Sequence, residues 1–150
     1  MVRTCVSSTP YRFYHQQGGI ILKWLKVDPD KCVGCGTCME TCSTTWFKEN
    51  NPALSRIQVT KKDEDHYDLN ACNQCGTCID MCPVGALARD GNGIIRMDEK
   101  KCVGCLMCVG FCPTKSFFYH AARRPEPFKC IACGLCVKKC PVEALEIVTE

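Results

Sequence analysis

Nothing in the 150-residue sequence reads as a membrane span or an export signal. The start, MVRTCVSSTPYRFYHQQ, has no apolar h-region, and the twin arginine at Arg123 and Arg124 is internal, where no export signal would lie. The longest apolar stretch near the start, GGIILKWLKV, is interrupted by Lys23 and Lys26 and is too short for a bilayer. The expectation is a soluble, cytoplasmic chain. Histidine is scarce: His15, His66 and His120 stand in unrelated contexts, with no nucleophile or carboxylate pattern beside them. There is no G-x-G-x-x-G and no P-loop, so neither a nucleotide site nor catalysis by this chain is expected, and no catalytic residue is assigned.

Conventional apolar residues are also few. The hydrophobic share of 46% includes 17 cysteines, and without them it falls to about 35%. A small domain with so thin a core needs another filling. Sixteen of the cysteines form four runs: Cys32, Cys35, Cys38, Cys42; Cys72, Cys75, Cys78, Cys82; Cys102, Cys105, Cys108, Cys112; and Cys130, Cys133, Cys136, Cys140. Cys5 stands apart, as a bystander thiol in an unassigned N-terminal extension, residues 1–19. In a reducing cytoplasm such regular spacing points to metal ligands, not disulfides.

The run C-x2-C-x2-C-x3-C is more specific than that. Three thiolates can wrap one face of a compact cluster while the fourth points elsewhere, and in two-cluster ferredoxins the fourth ligates the other cluster. Zinc sites use two pairs across a longer spacer and have no need of a cysteine at i+6 and i+10 in every copy. Four runs therefore predict four [4Fe-4S] clusters. Gly34, Gly36, Gly76, Gly104 and Gly134 fit loops folding around inorganic sulfur. Pro83, Pro113 and Pro141 follow three of the fourth cysteines, but Ser43 stands there in the first run. The formal charge of +3 counts neutral thiols; four clusters at roughly −2 each bring it to about −5. The basic pairs Lys61–Lys62, Lys100–Lys101, Arg123–Arg124 and Lys138–Lys139 are dispersed, so a nucleic-acid partner is not expected.

Between runs two and three, PVGALARDGNGIIRMDEKK predicts a short helix from Pro83, a β-hairpin turning at DGNG and a strand entering Cys102. Runs two and three then form one unit. A strand in ILKWLKVDPDK, before run one, and one in PVEALEIVTE, after run four, can pair to close a second unit around the first. The expected class is α+β: an inner ferredoxin-like dicluster unit at residues 71–119, nested in an outer one made of 20–70 and 120–150. Tandem pairing, one with two and three with four, is the alternative. Nesting assigns Cys32, Cys35, Cys38 and Cys140 to one cluster and Cys130, Cys133, Cys136 and Cys42 to a second. It gives Cys72, Cys75, Cys78 and Cys112 a third, and Cys102, Cys105, Cys108 and Cys82 a fourth. Lys31, Lys101 and Lys129, each directly before a first cysteine, are candidates for raising a cluster's potential or are simply solubilising. Phe117, Phe118 and Tyr119 are expected to shield a cluster or pack a sheet.

The four runs, residues 32–140, resemble those of the four-cluster ferredoxin-type electron-transfer subunits that serve molybdenum and tungsten oxidoreductases, hydrogenases and carbon monoxide dehydrogenases. The resemblance implies nested pairing, and a first run commonly without proline, as at Ser43. The stretch NPALSRIQV, residues 51–59, further resembles small iron–sulfur subunits encoded with tungsten-dependent aldehyde oxidoreductases and related benzoyl-CoA reductase systems. It implies a hetero-oligomer with a large tungsten or molybdenum pterin catalytic subunit, a flavin subunit as a further candidate partner, and self-stacking as a further assembly. A freely diffusing polyferredoxin is the main alternative, a non-redox iron sensor a remoter one.

Overall fold

Each run of cysteines is followed by the same backbone geometry. The structure, a computed structural model, describes residues 21–121 and 126–150. The 1–19 extension with Cys5 and His15, and the Arg123–Arg124 pair, lie outside the described residues. Two positions after each first cysteine the backbone is left-handed, at Gly34 and Gly104 (φ 69°), Gln74 (59°) and Ala132 (48°). Two positions further on, a second left-handed residue, Gly36, Gly76, Leu106 or Gly134, starts a helix. These helices are α1 Thr37–Phe47, α2 Thr77–Met81, α3 Met107–Gly110 and α4 Leu135–Lys139. Each buries the third cysteine of its run.

Proline decides where two of them, α2 and α4, stop. The residue before a proline is pushed out of the helical region, and Cys82 lies at φ −80°, ψ 110°, Cys140 at φ −70°, ψ 118°. The helix predicted from Pro83 does not form: Gly85 turns left-handed at φ 60°, so residues 83–84 make a turn and a strand begins at Leu87. With Ser43 in place of proline, α1 continues past Cys42 to Phe47. Ser43 is fully buried and its hydroxyl donates to the Glu40 carbonyl at 3.2 Å.

The strands are β1 Lys23–Val27, β2 Gln58–Lys61, β3 Tyr67–Asn70, β4 Leu87–Arg89, β5 Ile95–Met97, β6 Phe117–Phe118, β7 Phe128–Lys129 and β8 Leu145–Thr149. The chain is α+β. Among the described residues they form four antiparallel pairs, β1–β8, β2–β3, β4–β5 and β6–β7. The β1–β8 pair, with Leu25 opposite Ile147, joins the strand entering run one to the strand leaving run four. The hairpin expected at DGNG links β4 and β5, where the Asp90 carboxylate accepts N–H groups of Asn92 and Ile94. A Cβ on Gly93 would come within 1.8 Å of the Ile21 carbonyl oxygen, so this hairpin's tip needs glycine to lie against the chain entering β1.

The core is divided and rich in sulfur. Leu25, Ile57, Leu69 and Leu145 pack with Cys38, Cys72, Cys130 and Cys136; Leu87, Ile95 and Phe117 pack with Cys78 and Cys108. A third cluster joins Phe47, Leu54 and Phe128, whose Phe47 and Phe128 rings meet edge-on at 5.0 Å. Phe117 thus packs beside cysteines and Phe118 beside Phe128, while Tyr119 is exposed. Helix α1 packs on α4, and α2 on α3.

Candidate metal centres

In runs one, three and four the loop and helix fan the thiols around a small cavity. Cys32, Cys35, Cys38 and Cys140 line one cavity, with Val59, Leu69 and Leu145. Cys42, Cys130, Cys133 and Cys136 line a second, with Leu25, Ile57 and Trp46. Cys82, Cys102, Cys105 and Cys108 line a third, with Val84, Leu87 and Met97. For the remaining four, the Cys72 thiol lies close enough to Cys75 and Cys112 to feel their charge, and Cys78 to feel Cys72 and Cys75. None of the sixteen is in a disulfide. Among the described residues, no three His, Cys, Asp or Glu side chains converge as a single metal ion requires.

Backbone N–H groups point at sulfur in a repeating way. In the three proline-turn runs the residue four past the last cysteine donates to it: Ala86 to Cys82 at 3.2 Å, Ser116 to Cys112 at 3.4 Å, Ala144 to Cys140 at 3.4 Å. Run one has no such turn, and Arg56 N–H supplies the bond to Cys42, at 3.3 Å. Local bonds in segment 51–59 hold that N–H in place. Pro52–Leu54 is a 3-10 turn capped by Asn51, Leu54 is fully buried, and the buried Ser55 hydroxyl donates to the Ile57 carbonyl at 2.6 Å. Arg56 stacks over Trp46 at 5.0 Å, and its Nη1 donates to the Lys129 carbonyl at 3.2 Å, tying the segment to run four.

Burial pushes the thiols of Cys78, Cys130 and Cys136 up to about 12, with neighbouring thiols adding to the effect. Without metal these are neutral groups; only a bound cation turns them into thiolates. Packing also orders the four sets in space. Helix α1 packs on α4 and α2 on α3, Cys38, Cys72, Cys130 and Cys136 share one core cluster, and Gln74 of run two donates to the Cys130 carbonyl at 2.8 Å. The sets of runs one, four, two and three therefore follow one another, with those of runs four and two in the middle.

At that middle junction lies Gln74, whose role sequence reasoning missed, beside Lys129, which the sequence offered only as one of three equivalent lysines. Gln74 is fully buried; its Nε2 donates to the Cys130 carbonyl at 2.8 Å, and its own carbonyl accepts from Arg89 Nη2 at 2.9 Å. Lys129 is 4% exposed, whereas Lys31 and Lys101 are solvated. Burial pulls the Lys129 pKa below that of an ordinary lysine, against the opposing pull of Cys72, Cys78 and Cys130. The one available signal was that Gln74 and Ala132 stand where runs one and three carry glycine. Of the histidines, His66 lies exposed in the β2–β3 turn and His120 follows Tyr119, neither among the cysteine sets.

Residues 31–87, 71–116 and 94–141 each match a family model described as a 4Fe-4S dicluster domain. Each segment spans two consecutive runs, and the three overlap. The chain is 37% identical over 91 residues to the beta subunit of the NADH-dependent phenylglyoxylate dehydrogenase of Aromatoleum evansii, covering 57% of this chain and 20% of that one. It is 30% identical over 97 residues to the thiosulfate reductase electron transfer subunit of Salmonella typhi, covering 57% and 50%. The chain thus spans between a fifth and a half of the length of these relatives. Among solved structures, it superposes with a TM-score of 0.50 and 28% identity on a chain of the active-site complex BamBC of benzoyl coenzyme A reductase with 1,5-dienoyl-CoA, covering 87% of this chain and 77% of that one. Among the described residues no helix is long and apolar enough to cross a membrane.

Proposed function

We propose that the chain is a non-catalytic electron-transfer subunit holding four [4Fe-4S] clusters, which relays low-potential electrons to or from a catalytic oxidoreductase subunit. The observation that carries it is the spatial order of the four cysteine sets. Their ligands are the nested ones: Cys32, Cys35, Cys38 with Cys140; Cys130, Cys133, Cys136 with Cys42; Cys72, Cys75, Cys78 with Cys112; Cys102, Cys105, Cys108 with Cys82. The cavity linings, the β1–β8 pair and the packing of α1 on α4 support this assignment; tandem pairing calls for α1 against α2. The donors suit a cubane: all are sulfur, N–H groups face them, and the walls are apolar.

When bound, the clusters supply one-electron chemistry. The protein fixes their spacing, buries the junction between the central pair and directs N–H groups at sulfur, which tunes potential. The outer sets present Cys35 and Cys105 at the surface as entry and exit, and Cys133 gives one central set an exposed ligand as well. The partner of first choice carries a tungsten or molybdenum pterin and oxidises or reduces aldehydes, with a flavin subunit passing electrons onward in the cytoplasm. This rests on segment 51–59. The likeness to a benzoyl coenzyme A reductase complex favours a second partner, an aryl-CoA reductase.

Anaerobic purification of the native chain with its associated proteins tests the reading. Tungsten or molybdenum in a large co-purifying subunit is the expected result. A lone chain containing only iron would sink the dedicated-subunit reading and leave a diffusible polyferredoxin.

A further inference from the structure

Three lysines precede a first cysteine, and the fold treats them differently. Lys31 is solvent-exposed beside Asp28 at 3.6 Å, and Lys101 is exposed as well. Lys129 ends β7 and is buried. Its Nζ donates to Gln74 Oε1 at 2.8 Å and to the Cys130 carbonyl at 3.2 Å. The Gln74 amide has one orientation, because Oε1 also accepts Ile95 N–H at 3.0 Å while Nε2 donates to the Cys130 carbonyl. A buried network with every member partnered holds its charge in one place. The network joins runs two and four, since Gln74 lies in the first and Cys130, directly after Lys129, opens the last, and the Arg56 guanidinium donates to the Lys129 carbonyl beside it.

The geometry points to Lys129 as a fixed cation between the two central clusters, raising the potentials of both. This rests on the four-cluster reading above. Reduction adds one electron and one unit of negative charge to a cluster, with no bond made or broken. Burial disfavours the added charge, and a nearby cation favours it. Left to burial alone, the central clusters would accept electrons less readily than the outer ones and form a barrier in the middle of the relay. Lys129 offsets that barrier. Lys31 and Lys101, in water, are screened and act weakly.

The test is an anaerobic redox titration of the full chain, followed by electron paramagnetic resonance, on wild type, Lys129→Met, Lys129→Gln and Lys129→Arg, with iron counted in each. In the neutral variants two of the four midpoints should fall by a tenfold change or more in the one-electron equilibrium, about 59 mV. The other two should stay, and Lys129→Arg should restore the wild-type values. Unchanged midpoints, or a uniform shift of all four, in a neutral variant with full iron would overturn the proposal. If Lys129→Met loses iron, Lys129→Gln carries the comparison, because its amide keeps an N–H donor. Loss of clusters from both neutral variants, with retention in Lys129→Arg, would make the role structural and also overturn it. Fewer than four reducible centres in the wild type would instead sink the four-cluster reading, whereas a Lys129-dependent shift in the centre of run two would still support this inference.

Discussion

Runs one and three, Cys-Val-Gly-Cys, differ from runs two and four, Cys-Asn-Gln-Cys and Cys-Ile-Ala-Cys, although all four adopt the same left-handed turn. In the first pair the turn residue is glycine and the preceding valines Val33 and Val103 are exposed; Cys35 and Cys105 reach the surface, as does Cys133 of run four. In the second pair the turn residue is fully or almost fully buried and has a side chain. A non-glycine residue in that conformation costs about 1–2 kcal/mol. At Gln74 the cost coincides with a side chain that joins runs two and four and holds Lys129. The difference teaches that one local turn serves two settings: a solvent-facing one, where the loop can be bare, and a buried junction, where the loop carries a side chain that ties two runs together.

The largest way to break this comparison is to remove the filling. Because both cores are built on cysteine, iron chelation should abolish cooperative unfolding for outer and central parts together. Calorimetry of the apoprotein checks this, and an intact cooperative transition would contradict it.

A narrower cut uses the exchange of fourth cysteines. Cys42→Ser should damage the cluster of Cys130, Cys133 and Cys136, a central one, although Cys42 belongs to an outer run. Magnetic resonance of the reduced variant reads which signal is lost; loss of the signal from Cys72, Cys75 and Cys78 would show tandem pairing.

The turn residues themselves give a third test. Gly34→Ala places a Cβ 2.1 Å from the Tyr67 ring and forces a side chain into φ 69°, so a loss of about 1–2 kcal/mol from the backbone alone is expected, with the clash adding to it. Ala132→Gly relieves a left-handed alanine but frees the unfolded chain, so its effect should stay within about 1 kcal/mol. Denaturant unfolding of the two holoproteins compares them. Equal losses would contradict the distinction between bare and buried turns.

The smallest effect belongs to a surface hairpin outside both kinds of run. Partial burial would raise the Asp90 carboxyl, but N–H groups of Ile94 and Asn92 and the Arg96 guanidinium outweigh it and hold the pKa below the usual value. Such a depressed carboxylate stabilises above its unfolded pKa, and that stability is lost as pH falls through the folded value. Asp90→Asn should therefore cost less than about 1 kcal/mol at neutral pH and reduce the acid dependence of unfolding.

Much of this was legible because cluster ligation is written locally. The spacing of the cysteines, the turn at DGNG and the α+β class follow from residues near one another in the chain, as does the extended conformation of the cysteines before Pro83 and Pro141. The helix predicted from Pro83 failed for an equally local reason, the left-handed Gly85. What escaped reading depends on contacts between distant segments. Gln74 meets Cys130 and Lys129 more than fifty residues away, and Lys129 shares its local sequence position with the exposed Lys31 and Lys101. In segment 51–59 the Arg56 N–H reaches Cys42 where a proline turn is missing, a contact between residues fourteen apart that the sequence did not announce.

Anomalous diffraction at the iron edge from anaerobically grown crystals would test the central claim most directly. The account expects four [4Fe-4S] clusters in a line, in the order of runs one, four, two and three, each completed by the fourth cysteine of its nested partner. Two clusters, single metal ions, or a cluster shared between runs one and two would contradict it.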